Sequence, residues 1–496
     1  MNNHTTPEKV GIKTENIIKY LASLEKKNLA THNVIMARGN EIFFEAYWKP
    51  FNSDMLHRMY SVSKSFVSIA IGFLEQDGII NLDDKIEKYF PEECKNTKNI
   101  YMHNQTVRDM LMMRTSRVDK GWFSEPTQDR VYDYFNNKAD IETNTIHPSG
   151  TVYNYDSWGS FILGSMVERL TKKPLMDYLY DKFMYKIGVR EGAHCLKCPG
   201  GHSWSDSAVL IRPADLLKVA RFILNKGSWN GEQILNKEYI EKATSCLSFN
   251  NFTDIYNYNT CGYGYQFWRT YENSFYFNGM GCQYAVCVPD KDIILIYNGD
   301  NQGKEIVRDV VIDDFFSLIV DTAQDHSLKE NVDAKARLSD VVSGLELICA
   351  RGKKHSEIEK NINNITYKLQ KNEMGISEFS LSFYDDFGIF RYINAQGEKE
   401  IKFGLCKNEF SFFPQEGYSD EVGGQSSKNH FYKCASSAAW VGDDTLFMKI
   451  QIIDKYFGNM TATVSFKDNF CTLYMEKYAE NFLNEYNGFA GGMKKI

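Results

Sequence analysis

The sequence predicts two folded parts of different texture: a mixed α+β domain over residues 1–330 and an all-β, barrel-like domain over 365–496, joined by a helical, charged connector at 331–364. Three observations carry this. A chain of 496 residues is too long for one ordinary hydrophobic core. Helical and strand periodicities are interleaved through the first part. From Thr366 onward only short alternating segments remain, FSLSF, IFRYI, EIKFGL, FSFFP, TLFMKIQII and TATVSF, separated by turns such as YDDFG, NAQGEK and VGDD.

In the first part, residues 14–26 read as a helix, and NVIMARGNEIFFEAYW (33–48) alternates about an Arg-Gly-Asn turn as a β-hairpin does. SVSKSFVSIAIGFLEQDG (61–78) is a helix of mainly apolar positions, and residues 82–185 carry mostly helical signals. Arg212-Pro213-Ala214-Asp215 opens the helix LLKVARFILNKG, with proline in its first turn and glycine just past its end. Aromatic-rich strand signals run from YGYQFW (263–268) through FYFNGMGCQYAVCVP to DIILIYNGD. The DFG within YDDFG is a hairpin turn, since no glycine-rich loop or HRD segment accompanies it.

Composition narrows the function classes. Hydrophobic content of 43% and charged content of 24% are those of a globular protein, and a net charge of -7 offers no basic surface for nucleic acid. No apolar run reaches membrane-spanning length, and the N-terminus lacks an apolar stretch after a basic start, so the expected location is the cytoplasm, with no membrane partner. Eleven scattered cysteines then read as reduced thiols.

Chemistry concentrates at Ser61 and Lys64. Three residues is close to one helical turn, so hydroxyl and ammonium share a face. An apolar setting disfavours the charged lysine and suits it to activating the serine, while the first-turn amides favour negative charge, making the Ser61 N–H an oxyanion donor. The same S-x-x-K pattern recurs at Ser23-Leu24-Glu25-Lys26, where charged neighbours mark a solvated helix face.

The ordered set SVSKSFVSIAIGFLEQDGIINLDDKIEKYFP, TVRDMLMMRTS and SGTVYNYDSWGSFILGSMVERLTKKPLMDYLYDKFM resembles the serine hydrolase family that includes class C β-lactamases, penicillin-binding DD-peptidases and related esterases and amide hydrolases, over roughly residues 5–325. The resemblance implies a β-lactamase/transpeptidase-like antiparallel sheet flanked by helices with a helical subdomain. It implies Ser61 as nucleophile, Lys64 as its activator, and Tyr155 of a Y-x-N-like Tyr155-Asp156-Ser157 as general base and acid, its phenol acidified by the lysine. Ser157 stands where the family has asparagine. The third family motif, a cation followed by Thr or Ser and Gly on an edge strand, matches Phe277-Asn278-Gly279, with Met280 supplying a second oxyanion amide. The glycine is kept and the cation is not. Arg114 and Arg117 likewise replace the family's histidine and glycine in MMRTSR.

These matches lead to the expectation of an acyl-enzyme serine hydrolase that acts on a small, neutral ester, amide or peptide-like substrate, with substrate contacts from Ser157, Asn278 and Gly279 and no cofactor. Two alternatives stay open: a catalytically silent binding module, and a true β-lactamase or DD-peptidase. The β domain is the candidate for capping the cleft or for self-association. No metal is expected. The weak candidate set is His194, Cys195, Cys198 and His202, crowded into nine residues where true sites split their ligand pairs across a longer loop. Gly201-His202-Ser203-Trp204-Ser205 lacks the final glycine and the leading strand of a nucleophile elbow.

Overall fold

The computed structural model describes residues 3–117, 129–136, 145–253, 255–478, 480 and 483–495. The chain divides into two units, Met1–Glu346 with Glu421–Gly424, and Leu347–Asp420 with Gln425–Ile496. The charged stretch after residue 330 is shared between them: helix Val332–Ser343 belongs to the first unit, and the chain from Leu347 belongs to the second.

The first unit is built on a seven-stranded sheet. Its strands are β1 (Asn3–His4), β2 (Thr31–Arg38), β3 (Glu41–Tyr47), β4 (Trp268–Arg269), β5 (Phe275–Gly279), β6 (Gln283–Val288) and β7 (Ile293–Gly299). They lie in the order β1-β3-β2-β7-β6-β5-β4. Every pairing is antiparallel except the two-residue contact of β1 with β3. The hairpin expected at 33–48 is β2–β3. Helix α1 (Thr14–Lys26) buries Ile17, Tyr20, Leu21 and Leu24, a stripe with helical spacing, against one face of the sheet, where Val34, Met36, Val286, Leu295 and Phe315 complete an apolar core.

The opposite face meets a second set of helices. Helix α2 (Ser63–Gln76) is buried from Ser63 to Leu74, and a helix buried all round must satisfy its polar side chains internally. Its serines do so. The Ser63 hydroxyl accepts from the Val209 N–H at 3.0 Å, Ser65 donates to the Gln266 carbonyl at 2.8 Å, and Ser68 lies 3.1 Å from the Tyr239 hydroxyl. Helix α3 (Ser157–Thr171) packs on α2, and helix α4 (Pro213–Leu224), opened by the expected proline, covers β6 and β7. A small three-stranded sheet joins His57–Arg58, Val209–Ile211 and His194–Cys195. No helix among the described residues is long and apolar enough to cross a membrane.

The second unit is a β-barrel. Its strands are β8 (Thr366–Leu369), β9 (Glu378–Phe383), β10 (Phe387–Asn394), β11 (Gly397–Leu405), β12 (Glu409–Tyr418), β13 (Ser426–Trp440), β14 (Thr445–Ile453), β15 (Phe457–Lys467), β16 (Phe470–Tyr478) and β17 (Gly488–Lys494). Nine of them form a ring, β11-β10-β9-β8-β17-β16-β15-β14-β13, and β12 pairs along the side of β13. The ring closes where β11 meets β13 in parallel, Gly404 with Ser437 and Leu405 with Ala438. Alternation is clear along β10, where Gly388, Phe390, Tyr392 and Asn394 are buried between more exposed neighbours.

Candidate active site

Ser61 lies on a tight turn, Tyr60–Val62, that runs directly into α2. Tyr60 holds a left-handed backbone, φ 47°, a conformation that a bulky L-residue adopts only when its surroundings enforce it. Those surroundings are visible. The Met59 N–H donates to the Val209 carbonyl at 2.8 Å. Arg58, fully buried, stacks its guanidinium 4.3 Å from the Tyr60 ring and 4.5 Å from that of Trp204, and donates to the Ser207 carbonyl.

Lys64, 2% exposed, donates from Nζ to Ser61 Oγ at 2.9 Å and to the Asp206 carbonyl at 2.7 Å. The Asp206 carboxylate pairs with Arg130 at 3.0 Å, both side chains buried, which fixes the carbonyl that holds the lysine. Lys64 Nζ also lies 5.1 Å from the centroid of the Tyr155 ring. Tyr155 immediately precedes Asp156, whose side chain caps α3 by accepting from the Gly159 N–H at 2.9 Å, so helix capping sets where the phenol emerges. Tyr155, distant in sequence from Ser61 and Lys64, is thus brought beside their pair. Ser157 follows as the first, half-buried residue of α3.

The edge-strand motif occupies the end of β5. A Cβ added at Gly279 would lie 2.2 Å from the Met59 carbonyl oxygen, so only glycine lets this strand approach the backbone that leads to Ser61. Met280 begins the turn to β6, which passes through positive φ at Gly281 (79°) and Cys282 (72°). Phe277 is fully buried and packs edge-on against Phe267 at 5.0 Å, filling with core packing the position where the family has a cation. The Asn278 amide donates to the Tyr276 hydroxyl at 3.2 Å and reaches Asn259 Oδ1 at 3.5 Å.

The sequence reading missed the aromatic wall beside Tyr155. Trp268 lies 5.6 Å from the Tyr155 ring, Tyr263 lies 6.4 Å from it, and Tyr153 lies 5.4 Å from Tyr263. Burial holds the Tyr153 and Tyr263 phenols well above the ordinary range, and the neighbouring Tyr155 adds to the effect, so both stay neutral at neutral pH. The density of aromatics in YGYQFW was the available signal. Gln266 in the same stretch was also missed. Its amide donates to the Met110 and Leu111 carbonyls and accepts from Ser160, tying α3 to the end of the short helix Val107–Leu111.

The four weak metal candidates have other roles. His194 Nδ1 lies 2.9 Å from the Gly192 carbonyl, and His202 Nδ1 lies 3.0 Å from Glu168. Burial pushes the Cys198 thiol up to about 11 and holds that of Cys195 well above the ordinary thiol range. Among the described residues, no group of three or more His, Cys, Asp or Glu side chains is placed to hold a metal ion. Arg114 donates to the Leu247 carbonyl, and Arg117 stacks on Trp158.

Comparison with known proteins bears on the family and the fold. The 6-aminohexanoate-dimer hydrolase of Paenarthrobacter ureafaciens is 22% identical over 265 residues, covering 50% of this chain and 66% of that protein, just short of two thirds of its length. Protein flp of Staphylococcus aureus is 25% identical over 141 residues, 27% of each chain. The crystal structure of a putative beta-lactamase from Bacteroides dorei superposes with a TM-score of 0.52 at 15% identity, covering 62% of this chain and 99% of that one, a likeness of fold. The sequence model of the Beta-lactamase family matches residues 20–310, a span that contains Ser61, Tyr155 and Gly279 and exceeds half the chain; the protein belongs to the Beta-lactamase family.

Proposed function

We propose that the protein is a serine hydrolase that cleaves an ester or amide of a small uncharged substrate through an acyl-enzyme. One observation carries the reading: a buried lysine whose Nζ donates to a serine hydroxyl at 2.9 Å, beside a tyrosine phenol. Ser61 Oγ attacks the carbonyl carbon as its proton passes to the Lys64–Tyr155 pair. The Ser61 and Met280 amides take the charge that develops on the carbonyl oxygen. The pair then returns the proton to the leaving alcohol or amine, and water repeats the sequence to free Ser61. The chemistry calls on no cofactor.

Two observations favour a neutral substrate over a β-lactam or a D-alanyl terminus. Phe277 leaves no cation on β5 for a carboxylate, and the half-buried Trp268 and Tyr153, backed by the buried Tyr263, offer an aromatic wall for an uncharged chain or ring. A relative named for hydrolysing a 6-aminohexanoate dimer supports including amides with esters.

The test is a panel of p-nitrophenyl esters, D-amino acid amides and a chromogenic cephalosporin, together with a fluorophosphonate label, applied to wild type and Ser61→Ala. Ester or amide turnover and labelling are expected in wild type and absent in Ser61→Ala. A folded wild type that neither labels nor turns over any member favours the silent binding module, and turnover confined to the cephalosporin favours a β-lactamase.

A further inference from the structure

At the end of the seven-stranded sheet away from Gly279, the surface holds a depression of about 600 Å³. Among the described residues it is lined by Asn3, Asn40, Asn225 and the turn Ser228-Trp229-Asn230-Gly231. Asn3 lies on β1, paired in register with Glu41 and so beside Asn40 in the turn between β2 and β3. Asn225 follows the last residue of α4. Ser228–Trp229 pairs with Glu232–Gln233 as a short hairpin, turned by Asn230 and Gly231, both at positive φ. The ladders set this place apart from the Ser61 site. Gly279 faces Gln283 at one end of β6, while at the other end Val288 faces Ile293, which faces Arg38, two residues before Asn40. The six residues of β6 between them span roughly 17 Å.

Trp229 differs from the other described tryptophans. Trp158, Trp204, Trp268 and Trp440 each pack on an aromatic ring or a guanidinium, and Trp48 lies in the core. Trp229 is half-buried, and among the described residues its ring has no aromatic or cationic partner and its indole N–H has no acceptor. The asparagines differ in the same way from those that shape turns elsewhere. Asn99, Asn236 and Asn331 cap helices, and Asn52, Asn81 and Asn257 accept backbone N–H groups within their own turns. Asn3, Asn40, Asn225 and Asn230 are exposed, and among the described residues their side-chain amides make no hydrogen bond.

The lining also fixes the chemistry of what fits. None of these residues carries a charge, so an anion meets no cation there and a cation meets no carboxylate. Each amide presents donors and an acceptor in one plane, the pattern that neighbouring hydroxyls on a sugar ring satisfy. An indole offers flat apolar surface to the C–H face of that ring and an N–H at its own edge. The volume lies within the ~300–1,000 Å³ of small-molecule sites. We infer that this depression is a carbohydrate-binding site for a short stretch of neutral oligosaccharide, with Trp229 as the platform and Asn40, Asn225 and Asn230 as hydroxyl partners. Its exposed rim suits a glycan chain that continues past the site. The site is separate from Ser61 and does not depend on the acyl-enzyme reading.

Cellotetraose, maltotetraose and tetra-N-acetylchitotetraose, titrated against the full chain and read by saturation-transfer difference NMR, test this and distinguish the source of the sugar. At least one is expected to bind saturably with a Kd of ~1 mM, with the strongest transfer at ring C–H protons. Trp229→Ala is expected to raise that Kd at least ~10-fold. The double variant Asn40→Ala with Asn225→Ala removes two exposed amides that hold nothing in the fold, and it carries the same expectation should Trp229→Ala not accumulate. Turnover of p-nitrophenyl acetate is expected to be unchanged in every variant. Absence of saturable binding by all three sugars up to ~10 mM would overturn the site. So would a Kd unchanged in the variants, which would place the sugar elsewhere on the molecule.

Discussion

The chain carries S-x-x-K twice, and the two copies do different things. In α1, the Ser23 hydroxyl donates to the Tyr20 carbonyl of its own helix at 2.8 Å, and Lys26 is exposed at the helix end. At the start of α2, Lys64 is buried and its ammonium is divided between Ser61 and the Asp206 carbonyl. The spacing is identical. What differs is the backbone ahead of the serine, left-handed at Tyr60 and pinned by Arg58 and Val209, and the removal of the lysine from water. The pattern supplies the side chains, and the turn and the burial set how they meet.

Four predictions press on this contrast. Lys64→Met should lower ester turnover by ~1000-fold, in the range of a lost acid-base group, while Lys26→Met leaves kcat/KM unchanged; comparable losses in both would end the distinction. Gly279→Ala should cost roughly 100-fold in kcat, since its Cβ would meet the Met59 carbonyl at 2.2 Å and displace the chain leading to Ser61. An Ala variant with wild-type kcat would show that this approach is not needed.

The third prediction concerns pH. His57, next in chain to Arg58, is buried with its Nε2 3.1 Å from His32 Nδ1, and burial lowers its pKa to about 3. An unfolded histidine titrates near ~6.5, so between those values the unfolded chain binds a proton that the folded chain refuses, and stability falls as pH falls. Between about pH 7 and about pH 5 this amounts to on the order of 2 kcal/mol, read from urea midpoints. His57→Phe should flatten that acid slope. An unchanged slope would place the acid sensitivity elsewhere. The smallest effect is expected from Ser23→Ala, within about 0.5 kcal/mol of wild type in stability and without effect on turnover.

Much of the scaffold was legible from periodicity. Residues 14–26, the 33–48 hairpin, the Pro213 helix and the strands at 275–299 stand where their patterns put them, because each buries one face locally. YGYQFW was read as a strand, and only Trp268 and Arg269 pair as one. Gln266 takes a positive φ there, Tyr263 and Trp268 face Tyr155, and Phe267 packs on Phe277. The gathering of Ser61, Lys64 and Tyr155 was accessible through motif order. Neither Gln266 nor the Arg130–Asp206 pair could be found that way, since a buried amide or ion pair looks in sequence like any surface polar residue.

The parallel contact that closes the β-domain ring spans only two residue pairs, and the two ladders of β8 three each, whereas the β13–β14 and β14–β15 ladders run to seven and nine. Opening free energies differ from place to place in a fold, so the amides at Gly404–Leu405 and Ser437–Ala438 are expected to exchange early, together with those of β8. Opening there bares two strand edges at once, the kind of surface on which chains add to one another. The long ladders make the barrel durable, and its short joins, between β11 and β13 and on both sides of β8, are the places from which an edge would be exposed.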